Sequence, residues 1–141
     1  MALSRHWEHF EHQADIGVRG IGGTPSEAFE EAAAAMMAVM VDAGAVAEAE
    51  EVEIRCSAPD LELLLADWLN ALLCEVSARK MLFRRFSATV KDGVLTGRAW
   101  GERIDPRRHR PVVEVKGASY FGLKVAQMED GRWMAQCVVD V

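Results

Sequence analysis

The chain has 141 residues, 50% of them hydrophobic and 27% charged, with a formal net charge of −6. At that length one domain buries roughly two-thirds of the surface its unfolded chain exposes, so a single core needs no metal or disulfide staple, and the composition excludes a disordered chain. The acidic balance disfavours a direct, sequence-independent grip on RNA or DNA, which Lys and Arg drive by displacing phosphate counterions, so any role on nucleic acid is indirect.

Residues 7–11 and 15–21 read as two short strands, with His12 and Asp15 at the turn between them and Ile16, Val18 and Ile21 in near alternation after it. A capping box of Thr24, Pro25 and Glu27 then opens a helix. Glu27, Glu30 and Glu31 suit the positive end of its dipole, while Ala28, Phe29, Ala32, Met36 and Met40 form its apolar face. After Gly44 the alternation of Val52, Ile54 and Cys56 marks a strand. Leu61, Leu64, Leu65, Trp68, Leu72 and Val76 follow at helical spacing. From Met81 the pattern switches to short strands over 82–91, 94–101, 111–119, 121–128 and 132–141, with Asp92-Gly93 and Asp130-Gly131 as hairpin turns. The order β-β-α-β-α followed by a meander predicts one α+β domain over residues 1–141, with two helices covering one face of a mostly antiparallel sheet.

Cys56, Cys74 and Cys137 are odd in number and unpaired by any C-x-x-C, which argues against a disulfide framework and a zinc knuckle and suits free thiols in a reducing compartment. "MALSRHWEHF" lacks the apolar run of a signal peptide, and no stretch approaches the roughly 18 apolar residues of a membrane span, so a cytoplasmic protein without membrane contact is expected. The basic "RRHR" of 107–110 is too small for a phosphate site and reads as a solvated loop. G-x-S-x-G, P-loop, H-E-x-x-H and strand-borne G-x-G-x-x-G signatures are all missing.

The carboxylates carry more. Asp60 and Asp67 share a helix face but stand roughly 10 Å apart along it, so they cannot share an ion; Asp60 suits a helix N-terminus, and Asp67 reads as a polar anchor or a solvated residue. His6, His9 and His12 recur every third residue, which on a strand puts successive members on opposite faces, leaving His12 alone as a polar neighbour of Asp15. In 132–141, Trp133, Ala135, Cys137 and Val139 take one face, and Met134, Gln136, Val138 and Asp140 the other. Asp140 therefore ends a strand apolar enough to be central, beside the α-carboxylate of Val141. If strand pairing brings Asp15 alongside, three anionic groups converge in a way that suits a hard cation such as Ca²⁺ or Mg²⁺ and not Zn²⁺. The alternative is an ordinary exposed aspartate at a strand end.

Six segments in order resemble a known family. "HQADIG" at 12–17 matches an H-x-A-D-x-G motif, "SEAFEEAAAAM" at 26–36 a first helix, and "LLLADWLNALL" at 63–73 an L-x-x-D-W-L-N segment. "GERID" at 101–105, "VEVKGASYFGLKV" at 113–125 and "VVDV" at 138–141 complete the set, and nearly the whole chain is covered. The sequence is identified as a member of the archease family, small protein cofactors of the RtcB-type RNA ligase. The resemblance implies an Hsp33-like α+β fold and a divalent-cation site formed by Asp15, Asp140 and the carboxylate of Val141, with Ca²⁺ expected and Mg²⁺ or Mn²⁺ as alternatives. It also implies a non-enzymatic activator that promotes ligase guanylylation and multiple turnover in tRNA splicing or RNA repair, touching RNA only indirectly. Lys116, with His12, is the candidate for the partner surface. Where the family has T-Y-H, this chain has Ser119, Tyr120 and Phe121, so no histidine role transfers there; Gln13 stands where Thr is commoner. The competing readings are a chaperone-like modulator of a tRNA methyltransferase and a stand-alone metal-dependent phosphoesterase, the latter without an evident nucleophile or base.

Overall fold

A computed structural model describes residues 4–110 and 112–141. The described elements are β1 (His6–His12), β2 (Asp15–Gly22), α1 (Pro25–Met40), β3 (Glu50–Ser57), α2 (Leu61–Arg79), β4 (Met81–Lys91), β5 (Val94–Arg103), β6 (Gly117–Gln127) and β7 (Trp133–Asp140). Both helices start as their sequences dictate. Glu27 N–H donates to Thr24 Oγ1 at 3.1 Å, and Gly23 N–H donates to Glu27 Oε1 at 3.2 Å. On α2, Leu63 N–H donates to Asp60 Oδ1 at 2.8 Å, and Lys80 closes the other end in the left-handed region with φ 53°.

The α+β class, the antiparallel pairing and the two helices are as expected, and the strands divide between two sheets. A four-stranded sheet runs β1-β2-β7-β6 and a three-stranded sheet β3-β5-β4. Each helix covers a face of one sheet and seals an edge of the other. Helix α1 lies so close on the first sheet that a Cβ on Gly20 would meet the main chain of Ala28 and Ala32 at 2.1 and 2.2 Å. It also runs along the free edge of β4, where Ser26 Oγ accepts from Val90 N–H at 2.9 Å and Glu30 Oε2 from Ala88 N–H at 2.8 Å. Helix α2 does the converse. Its Trp68 presses on Gly97 of β5, while Glu62 Oε2 accepts from Val125 N–H and Asn70 exchanges two hydrogen bonds with Ala118, both on the β6 edge. Sheet edges left bare invite pairing with other chains; here helix side chains occupy those of β4 and β6. The helices meet in the core, where the buried indole of Trp68 donates to Phe29 O at 3.0 Å.

One expected strand boundary is corrected. The two strands foreseen at 111–119 and 121–128 are a single β6 with an irregularity between Ser119 and Lys124, and Pro111 lies outside the described residues. Residues 112–116 form no ladder because their hydrogen bonds go singly to different places: Val113 N–H to Met40 O and Lys116 N–H to Asp140 O. The Asp92-Gly93 turn has both residues at positive φ, 53° and 76°, as that hairpin type requires.

Candidate functional site

The four-stranded sheet has one face under α1 and one facing outward. Strand register sorts every residue between them, because directly paired residues of antiparallel strands project to the same side. His9, Val18 and Cys137 are mutually paired and lie on the inner side. Burial there pushes the Cys137 thiol up to about 12, so that cysteine is an inert core residue. The outward side carries Glu8, Arg19 and Gln136 in one row and Phe10, Gly17, Val138 and Ser119 in the next. Arg19 donates to Glu8 at 2.6 Å and to Gln136 at 2.9 Å and lies over the Phe10 ring, holding the Glu8 carboxyl below its ordinary range. Gly17 is glycine because Phe10 crosses it: a Cβ there would stand 2.3 Å from the ring.

The following row holds the candidate site residues. His12 pairs with Asp15 across β1 and β2, and Gly117 with Asp140 across β6 and β7. Ile16 pairs with Val139, so the next step of the same register sets Asp15 level with Asp140. His12, Asp15 and Asp140 therefore belong to one row on the outward face, at the rim of the sheet. The tight turn at Gln13, with φ 53°, returns the chain from one to the next. Asp15 is half-buried and Asp140 exposed, and among the described residues neither carboxylate has a Lys, Arg or His within ion-pair distance. A depression of about 310 Å³ borders Asp15, lined also by Phe10 and Glu11.

Two carboxylates on one row, with no basic partner among the described residues, leave their oxygens free to meet a cation. A further atom is unsatisfied: His12 Nδ1 is buried and has no hydrogen-bond partner. Among the described residues no three His, Cys, Asp or Glu side chains gather closely enough to enclose an ion, so side chains supply only part of a coordination shell. Hard cations complete their shells with main-chain oxygens, other carboxylates and water, whereas a structural zinc site is closed by four side chains. The oxygen-rich, open arrangement of Asp15 and Asp140 fits the former.

Of the other sequence candidates, Lys116 is tied to Asp140 through its main chain, at 2.7 Å, but its side chain lines a depression on the α2 side with Asn70 and Cys74. It stands next to the carboxylate row without sharing its face. Sequence reasoning missed the aromatic bulge of β6, where Tyr120 and Phe121 stand exposed and Phe121 lies 6.0 Å from the His12 ring. The signal was the glycine that follows them inside a strand, a mark of a bulge. Among the described residues no helix is long and apolar enough to cross a membrane.

Comparison with known proteins covers almost the whole chain. A model of the Archease protein family (MTH1598/TM1083) matches residues 7–141. Protein archease of Pyrococcus furiosus is 43% identical over 141 residues, spanning 97% of this chain and 99% of the relative. That of Methanopyrus kandleri is 40% identical over 139 residues, spanning 96% and 99%. The solution structure of Methanobacterium thermoautotrophicum protein 1598 superposes with a TM-score of 0.79 at 33% identity, covering 96% of this chain and 98% of that one. The crystal structure of an archease from Thermotoga maritima, described as a possible chaperone, shares the fold with a TM-score of 0.63 at 20% identity, covering 95% and 96%. With the family's pattern running from the first strand to the last, this chain belongs to the archease family.

Proposed function

We propose that this chain is a non-enzymatic, metal-binding activator of an RtcB-type RNA ligase, promoting ligase guanylylation and multiple turnover in tRNA splicing or RNA repair. The observation that supports the reading is the register of β2 and β7, whose pair Ile16–Val139 is followed by Asp15 and Asp140 on the outward face, neither with a basic partner among the described residues. Asp15, Asp140 and the α-carboxylate of Val141 are the ligands in this reading. A divalent cation, Ca²⁺ first and Mg²⁺ or Mn²⁺ as alternatives, supplies the positive charge that lets these groups stand together. The strands do the positioning: Asp15 opens β2 and Asp140 ends β7, an interior strand, so both are held by main-chain ladders and present a fixed rim. That rim meets the nucleotide and metal pocket of the ligase and biases it toward the arrangement that accepts GMP on the ligase's own histidine. His12 and Lys116 flank it as partner contacts. An acidic protein suits this route because it meets a cationic pocket and does not compete for RNA.

The test is multiple-turnover ligation and guanylylation with the cognate ligase, alongside calorimetry of Ca²⁺ binding. Asp15→Ala and Asp140→Ala are both expected to lose most of the stimulation and the ion while keeping the fold, since both residues sit at the solvent-facing rim. Unaltered stimulation by both variants refutes the proposal. Release of RNA 2′,3′-cyclic phosphate by the chain alone would favour a phosphoesterase instead. Protection of a tRNA methyltransferase from aggregation, without effect on the ligase, would favour the chaperone-like action that the Thermotoga relative's description suggests.

A further inference from the structure

The outward face has a second feature beside the carboxylate row. Between Ser119 and Lys124, β6 leaves its ladder with β7. The excursion is held in shape: Phe121 N–H donates to Ser119 Oγ at 2.8 Å, Gln136 Nε2 donates to Gly122 O at 3.1 Å, and Gly122 takes φ +64°. It lies against the sheet, since a Cβ on Gly122 would stand 3.4 Å from Val138 Cγ2, and Val138 is only 1% exposed although it faces outward. On this bulge Tyr120 is 69% and Phe121 72% exposed, the two most exposed large hydrophobic side chains among the described residues.

Two adjacent, solvent-exposed rings on a held backbone have already lost much of the freedom that binding would otherwise cost, and large aromatics dominate the energetics of protein interfaces. We propose that Tyr120 and Phe121 are the apolar anchor by which this chain docks its protein partner, seated in an apolar pocket of that partner next to a cationic recess. Charge selects this occupant. The anchor shares a face with Asp15 and Asp140, and Phe121 reaches the ring of His12 in the same row, so whatever covers the rings also meets two carboxylates that have no basic partner among the described residues. A nucleic acid would bring phosphates against those carboxylates, and a second copy of the chain would bring the same carboxylates; a partner with basic groups beside its pocket meets neither penalty. The inference rests on the proposed ligase activation and separates its functions: the rings supply apolar affinity, and the carboxylates select the partner and produce the effect.

The experiment measures binding of the purified chain to the cognate ligase, and guanylylation at rising concentrations of activator, for the wild type, Y120S/F121S and D15A. The double variant is expected to bind about 30-fold more weakly or worse, yet to reach the wild-type maximum when enough is added. D15A is expected to fall short of the wild-type maximum however much of it is added. Unchanged affinity of Y120S/F121S, with a wild-type melting temperature, overturns the anchor while leaving the activator reading intact. A wild type that neither binds nor stimulates the ligase overturns the activator reading itself. A wild-type dimer that the double substitution dissociates, or single-stranded RNA binding at physiological salt that it abolishes, assigns the rings to another occupant and overturns the anchor.

Discussion

Glu102, near the end of β5, keeps its charge with a side chain only 11% exposed because the carboxylate is met on several sides. Arg108 binds it through both terminal nitrogens, Ala47 N–H donates to it at 2.6 Å, and the buried His109 donates from Nε2 at 3.0 Å. His109 Nδ1 meanwhile accepts from Asp105 N–H at 2.8 Å, which fixes the ring's proton on Nε2. Arg108 first, then Ala47 N–H, pull the Glu102 carboxyl down from 4.5 to about 2. A group whose pKa is lowered by folding adds stability that is complete above its unfolded value and disappears as pH falls through the folded one. The protein should therefore lose this contribution between pH about 4.5 and about 2. Glu102→Gln should unfold at a lower urea concentration at neutral pH and show a shallower loss over that acid range, measured by urea titration at a series of pH values. The "RRHR" run that contains Arg108 and His109 reads as a solvated loop, and Arg107, Arg108 and Arg110 are exposed, but His109 is buried. Its burial depends on Glu102 and Asp105 closing around it, which no local pattern encodes. Asp140 was legible for the opposite reason: the two-residue alternation of its own strand places it.

At the scale of elements, the helices were the easiest part to read, since Thr24 and Asp60 announce their own helix starts within a few residues. What they do to the sheets was not legible. Asp67, which reads as a polar anchor or a solvated residue, is exposed and is therefore the latter; the anchor is Asn70, one turn on, which accepts from Ala118 N–H at 2.9 Å and donates to Ala118 O at 3.2 Å. Its amide stands in for a neighbouring strand on the β6 edge. Asn70→Ala removes both bonds and should cost roughly 1–2 kcal/mol, seen as a lower urea midpoint. A specific readout accompanies it: the Ala118 amide should exchange with solvent markedly faster, while amides in the interior of the three-stranded sheet are unaffected. A residue of identical type three positions earlier on the helix would touch nothing of the sort, so only the crossing of α2 over β6 gives Asn70 its role.

For the whole molecule, the alternations and Asp-Gly turns of the second half revealed hairpins, but not which hairpin joins which sheet. The pairing of β2 with β7, Ile16 to Val139, spans most of the chain, and periodicity carries no information about partners so far apart. That pairing also governs when the protein can form. β7 lies between β2 and β6, so the first sheet has no middle until residues 133–140 are available. During synthesis the three-stranded sheet with α2 can assemble while β1, β2 and α1 wait with an open flank. Nascent chains arrested on the ribosome before Trp133 should stay protease-sensitive over residues 6–22, and resistance should appear only once β7 has cleared the exit tunnel. The carboxylate row, half of it built at residue 15 and half at residue 140, is then assembled last of all, so a prematurely terminated chain can never present it.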